Sequence, residues 1–341
     1  MRSMHKAPIC PIYQADGPLK FPPRVYWSVF KRTLSEIRSD NVAIIAAGVA
    51  FFTMLAIFPL ITACLSIYGL FADPAAVQQP IAALAPLLPP EGWRLLDAQI
   101  RTVANAPPLR LQLGIAAGLL FAVWSAGAGI RAVMLAMNIA YGERETRNPA
   151  AFFALAGAMT LSVTLFMWLA LTVIFGVPAL LSLLKLEGLS AIVTYYMPWI
   201  IIVLLFGFAT FVLYRIGPSR RQAKFRWLFP GVFFATISWL FISAGFSYFV
   251  AEFSNFNRFY GSLSAVIILL LWFWLTAFVV IVGAELNAEL ERHTSVDTTR
   301  GRRRPLGKRG AAMADYFHPD SPINIEEQMA PATDDEIAKG D

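Results

Sequence analysis

FYGSLSAVIILLLWFWLTAFVVIVGA, residues 259–284, carries no charged side chain between Arg258 and Glu285. About 20 mostly apolar residues suffice for a helix to cross the hydrocarbon core of a bilayer. This run is longer than that, so it reads as a transmembrane helix. Working outward, five more charge-poor runs precede it. The six predicted spans cover about 42–71, 111–131, 152–183, 191–214, 227–250 and 261–284. The first and third are long enough to tilt, bend or leave the bilayer. The first starts past residue 40 and exceeds the apolar core of a signal peptide, about 7–15 residues, so it belongs to the mature chain. The fold class expected is all-α: a polytopic membrane helical bundle of about six spans over residues 41–292.

Composition points the same way. Of 341 residues, 57% are hydrophobic and 15% are charged, and the mean hydropathy is +0.59. A soluble domain carries about a quarter charged residues. The 27 Phe and 9 Trp suit a lipid-facing exterior with aromatic belts at the interfaces. Cys10 lies in a polar tail and Cys64 in an apolar run, with no CxxC pair. His5, His293 and His318 all lie in the tails, far apart in sequence. No metal site and no cofactor is expected from these residues.

Lys and Arg set the orientation. With the N-terminus inside, the cytoplasmic segments hold 23 of the 28 Lys and Arg. The outer segments hold the other five: Arg94, Arg101, Arg110, Lys185 and Arg258. The positive-inside rule then places both termini in the cytoplasm.

The segments between spans are less regular. Residues 1–24 are expected to be a disordered cytoplasmic N-terminus. In residues 25–40, Tyr26, Phe30, Leu34 and Ile37 recur at helical spacing, and Lys31, Arg32 and Arg38 can reach headgroups. This reads as an amphipathic helix on the inner interface, or as an extension of the first span. The outer loop, residues 73–110, is rich in proline, with an apolar stripe of Trp93, Leu96, Ile100 and Val103 that suggests short capping helices. Residues 293–341 read as a disordered basic tail. Its Arg300, Arg302, Arg303, Arg304, Lys308 and Arg309 are candidate contacts for anionic lipid, each attracted by about 1 kcal/mol. RNA binding is the sharper alternative, but no RNA-binding motif accompanies the cluster, and no nucleic-acid partner is expected.

Inside the spans, Pro59 is a candidate kink, as a hinge or as packing geometry. Gly48, Gly118, Ser125 and Gly129 permit close helix contact. Ionisable groups at membrane depth carry more information, because burying them is expensive. Glu285 closes the last span, where the helix dipole disfavours an anion. Arg131 is flanked by apolar sequence on both sides. Arg131, Arg147, Arg215, Glu285 and Asn287 form a candidate polar cluster at the cytoplasmic side. In it Glu285 pairs with one of the arginines, or each charge reaches water separately.

Several blocks resemble the YihY/BrkB family of bacterial inner-membrane proteins, long labelled ribonuclease BN. They are AAGVAFFTMLAIFP at 46–59, WSAGAGIRAVMLAMNIAYGERETR at 124–147, LYRIGP at 213–218 and YGSLSAVIILLLWFWLTAFVVIVGAELNAELER at 260–292. The resemblance extends over roughly residues 25–292. One departure is Gly48, where the family pattern has a larger apolar residue, often Leu. The resemblance implies six spans in a bacterial cytoplasmic membrane and no settled activity.

RNA hydrolysis needs a metal cluster or an acid–base pair reachable by RNA. The short inner loops offer neither, and Glu143 and Glu145 beside Arg144 fit a solvated turn. The chain is therefore read as a non-enzyme. The leading expectation is transport or flipping of a lipid-like or amphiphilic molecule. No GxxxxGK[ST] loop is present, so the drive would come from gradients, with Glu285 as proton carrier. The alternatives are a structural or partner-binding membrane protein acting in envelope integrity, and a membrane enzyme.

Overall fold

A computed structural model of the chain describes residues 13–71, 108–184, 187–252 and 263–315. Among these residues there are helices and two isolated β-bridges but no strand. Helix α1 is Pro23–Ser39 and α2 is Val42–Phe71. Helix α3 is Pro108–Ala140, α4 is Pro149–Leu183 and α5 is Glu187–Ile216. Helix α6 is Phe225–Glu252 and α7 is Leu263–Arg292. Helices α2 to α7 correspond one for one with the six apolar runs.

Each of these helices packs on its neighbour in sequence, and α7 returns to α2, so the six close into a ring. Helix α7 also touches α1 and α3. Exposed apolar side chains cover the outside: Ile44 and Phe51 on α2, Leu161 and Leu165 on α4, Leu204 on α5, Phe241 on α6. A water-facing surface of that kind is not found in soluble monomers, whereas lipid accepts it. The fold is a membrane helical bundle. Among the described residues, Ala191–Ile216, Phe225–Val250 and Val266–Arg292 are each long and apolar enough to cross a bilayer. A fourth qualifies if α1 and the start of α2 count as one span bent by 62°. Asn41 makes that bend with φ 54°, a left-handed conformation that asparagine tolerates better than most residues.

Close packing is concentrated at one end of the ring. There Val42, Ala46 and Val49 meet Met137, Tyr141, Tyr214, Leu228, Ile281, Ala284 and Ala288. The tightest crossing is between α6 and α7. A Cβ on Gly231 would collide with the backbone oxygen of Gly283, and one on Gly283 would collide with the Tyr214 hydroxyl. Absence of side chains is what lets these backbones meet. Pro230 lies inside α6 and interrupts its backbone ladder. Asn287 of α7 bonds the backbone on either side of Pro230. Its Oδ1 accepts from the Gly231 N–H at 2.7 Å, and its Nδ2 donates to Leu228 O at 3.0 Å.

The same end is closed by a plate of chain termini and short loops. Tyr13 pairs with the 293–295 segment, its N–H donating to His293 O at 2.9 Å and its O accepting from Ser295 N at 3.0 Å. Residues 222–224 pair with 298–300, through Lys224 N to Thr298 O at 2.8 Å and Arg300 N to Gln222 O at 2.8 Å.

The structure corrects three expectations. The stretch 293–315 of the supposedly disordered tail is folded, because two carboxylates turn inward and bind backbone. Asp297 accepts from Thr299 N, Thr299 Oγ1 and Arg304 N. Asp315 accepts from the N–H groups of Gly307, Arg309 and Gly310. Residues 13–22 are likewise packed, with Ala15 and Phe21 buried against Val25, Trp227 and Leu290. On α1, Tyr26, Phe30 and Leu34 of the predicted stripe are exposed, the side an interfacial helix turns to lipid, and Val25, Val29 and Thr33 are buried; but Arg32, expected to reach headgroups, turns inward to Glu289. The remainder of both tails and the loop at 73–107 lie outside the described residues, as does the side-chain packing at the candidate kink, Pro59.

Candidate functional site

The plate end concentrates the charges, and its centre is the last two turns of α7. Glu285, Glu289 and Glu291 are all buried there. The sequence AELNAELER places Glu285 and Glu289 four residues apart, on one face of the helix.

Glu291 is fully provided for. Arg220 donates to both of its oxygens, at 2.7 and 3.0 Å, and the Thr298 hydroxyl donates at 2.9 Å. The Arg220 guanidinium also stacks over the Tyr141 ring at 4.0 Å. Burial works against the Arg220 charge, but the Glu291 carboxylate outweighs it and holds the guanidinium above its ordinary pKa.

Glu289 belongs to a quartet that ties α1 to α7. Arg32 Nε reaches Glu289 at 2.9 Å, and Arg292 Nη1 reaches Glu289 at 2.8 Å and Glu36 at 3.2 Å. The His293 imidazole is buried beside it, against Glu289 O at 2.7 Å and Ser28 Oγ at 3.4 Å. Burial holds this imidazole below its ordinary pKa.

Glu285 lies one turn deeper along α7. It is 2% exposed, and its Oε1 has no hydrogen-bond partner among the described residues. A buried carboxyl with an unsatisfied oxygen and no ion pair among the described residues is costly.

The predicted cluster does not assemble as expected. Arg131 lies over the Phe153 ring at 4.9 Å. Arg215 lies over Phe211 at 5.8 Å and donates to Gln222 Oε1 at 3.3 Å. Arg147 closes the end of α5 by donating to the carbonyls of Ile216, Gly217 and Pro218, where the helix dipole favours a cation. Asn287 bridges α6 and α7. None of the three arginines forms an ion pair with Glu285 among the described residues. Arg32, Glu36 and Arg292 gather around Glu289, one turn away. A signal for them exists in the sequence: four charges within 285–292, directly after the most apolar run, require counter-charges from another segment.

The turn at 143–147 is structural. Asn138 Nδ2 donates to Glu145 at 2.9 Å, and the Ala312 N–H donates to Glu143 at 2.6 Å. Of the six candidate lipid contacts in the tail, Arg300, Arg302, Arg303, Arg304 and Lys308 are exposed. Arg309 is buried, donating to the carbonyls of Ser295, Arg304 and Ala314. It braces the loop, which removes it from the surface set.

Away from the plate, an apolar cleft of about 280 Å³ opens between α4 and α5. Phe166, Leu169, Val173, Ile201, Leu204 and Phe208 line it.

Residues 33–306 match the family described as virulence factor BrkB. The chain belongs to the BrkB family. Among its BrkB relatives, a Bacillus subtilis protein named as ribonuclease-like, YfkH, is 28% identical over 258 residues, covering 72% of this chain and 89% of YfkH. A UPF0761 membrane protein of Aliivibrio salmonicida is 24% identical over 273 residues, covering 80% of this chain and 86% of the relative. A UPF0761 membrane protein of Vibrio cholerae is 27% identical over 285 residues, with 78% and 88% covered. No solved structure matches the chain. The BrkB match spans Glu285, the Glu291 pair and three members of the ion quartet, Glu36, Glu289 and Arg292; Arg32 lies just before it.

Proposed function

We propose that this BrkB-family protein moves a lipid-like or amphiphilic molecule across, or between the leaflets of, a bacterial cytoplasmic membrane. In this reading α2 to α7 are six crossings, and the plate with both termini faces the cytoplasm. The 23-to-5 division of Lys and Arg supports that orientation.

The observation that carries the reading is Glu285. A carboxyl buried in an apolar helix, with an oxygen that nothing among the described residues satisfies, is costly, and such groups mark ion and substrate paths in membrane proteins. Glu285 is also placed to couple movement to a proton gradient. The cleft between α4 and α5 supports an amphiphilic cargo, since its lining suits an acyl chain.

The ribonuclease-like name of one relative does not extend to this chain in our reading. Glu289 and Glu291 are bonded to arginine, Glu145 to asparagine, and Glu143, Asp297 and Asp315 to backbone. Among the described residues, no three of His, Cys, Asp and Glu are grouped to hold a metal ion.

A second reading, a structural protein of the envelope, is favoured by the folded plate. One experiment separates them. The purified protein is reconstituted in liposomes with a headgroup-labelled phospholipid, and an impermeant quencher is added. Transport is expected to expose label from the inner leaflet, and Glu285→Gln to abolish that exposure. Wild-type rates no faster than those of protein-free liposomes, across several headgroups, would favour the scaffold.

A further inference from the structure

Three segments meet at one edge of the plate. Arg303 of the tail loop lies 3.7 Å from Asp16, just before the turn Pro18–Lys20. A side chain on Gly17 would touch Arg226 Cδ at 3.6 Å, and Phe21 packs edge-on to Trp227 at 6.0 Å. Arg226 is exposed on the first turn of α6, and its side chain makes no ion pair or hydrogen bond among the described residues. The dipole disfavours a cation at that end of a helix, so the protein gains nothing from Arg226 by itself.

Lys224 stands beside it. Burial and the nearby Arg226 and Arg303 charges hold its ammonium below the ordinary pKa. Asp297 offsets part of this, and its backbone oxygen accepts from Lys224 Nζ at 3.2 Å, while its carboxylate is bonded to Thr299 and Arg304. Asp16 is the exposed anion of this edge, in contact with Arg303.

The same edge has an apolar half. Phe225, Phe229 and Phe233 are 61%, 51% and 57% exposed, and they follow each other at one-turn spacing along α6. Their rings are 6.4 and 6.1 Å apart. Together they form a strip roughly 12 Å long at 1.5 Å per residue, running from Arg226 into the candidate span Phe225–Val250.

We propose that this edge is a binding site for an anionic phospholipid of the host bilayer, with its phosphate on Arg226 and Arg303 and an acyl chain along Phe225, Phe229 and Phe233. Guanidinium groups bind phosphate by charge-assisted hydrogen bonds. Excess positive charge selects an anionic headgroup over a zwitterionic one. RNA fits less well, because the aromatic strip leads away from the basic loop into the apolar span. The proposal needs the bundle to lie in a membrane but does not need it to transport anything.

The test uses the full chain purified in a neutral detergent. Its melting midpoint is followed as phosphatidylglycerol or phosphatidylcholine with the same chains is added. Phosphatidylglycerol is expected to raise the wild-type midpoint more. Arg226→Gln with Arg303→Gln reduces that rise to the phosphatidylcholine level, while Arg226→Lys with Arg303→Lys keeps it. Phe229→Ala with Phe233→Ala shrinks it. Arg144→Gln, an exposed cation in the 143–147 turn, leaves it in place. Equal rises for the two lipids would overturn the proposal, as would a full rise in the Gln pair or an equal loss in the Arg144 control. A full rise from glycerol phosphate or from single-stranded RNA would overturn it too, by removing the acyl chain from the recognition.

Discussion

Glu291 and Glu285 lie on the same helix, six residues apart, and are 0% and 2% exposed. Their surroundings differ. Glu291 has a bidentate arginine and a hydroxyl, and its arginine is stacked on a tyrosine. Glu285 has an oxygen without a partner and no ion pair among the described residues. The difference separates two uses of buried charge. At the plate, charge is paired and holds chain segments together. One to two turns deeper Glu285 is buried and unpaired among the described residues, which costs stability and makes sense only if the group does something.

The largest expected effect is at the paired end. Arg220→Ala strands Glu291 without its counter-charge, and removing one partner of a buried pair costs about 3–5 kcal/mol. The melting midpoint in detergent should fall further than for Asn287→Ala, Gly283→Ala or Glu285→Gln. Next is the α6–α7 crossing. Asn287→Ala removes two buried hydrogen bonds between α7 and α6, one from Gly231 N–H and one to Leu228 O, at about 1–3 kcal/mol. Gly283→Ala puts a methyl against Tyr214 and should cost a similar amount, about 1–3 kcal/mol.

A smaller effect is expected with pH at His293. Its folded pKa lies below the ordinary value near 6.5, so the unfolded chain takes up the proton first. Its contribution is intact above that ordinary value and is lost as pH falls below it. The midpoint should therefore drop between pH 7.5 and 5.5 by more in the wild type than in His293→Asn. The smallest stability change is expected for Glu285→Gln, about 1 kcal/mol or less, since no ion pair among the described residues is lost. A collapse in that variant as large as in Arg220→Ala would erase the distinction between the two carboxylates.

The helices are legible in the sequence because each apolar run is long and its charged boundaries are sharp. The plate is not. RGRRRPLGKRG reads as a solvated basic tract, and only the inward turn of Asp297, Asp315 and Arg309 makes it a folded loop. Those contacts join residues to backbone and to chain segments far away in sequence, which no local pattern reports. Helix α1 is legible in part: Tyr26, Phe30 and Leu34 face away from the bundle, as on a helix lying against lipid, but Arg32 turns inward to Glu289. In a membrane protein the outer face is as apolar as the core, so periodicity alone does not say which side is in. Glu285 stands out in the sequence as an anion at the end of an apolar helix. Its neighbours do not, because topology brings Arg131, Arg147 and Arg215 to the same end of the bundle as the charges of α1, and only the packing of α1 on α7 selects between them.

The central claim is that Glu285 is kept for activity and Glu291 for structure. The most direct test compares Glu285→Gln with Arg220→Ala and the wild type, measuring melting midpoint in detergent and labelled-lipid movement in liposomes on the same preparations. Glu285→Gln is expected to melt close to the wild type and to move no lipid, and Arg220→Ala to lose stability. A Glu285→Gln protein that moves lipid at the wild-type rate would contradict the claim.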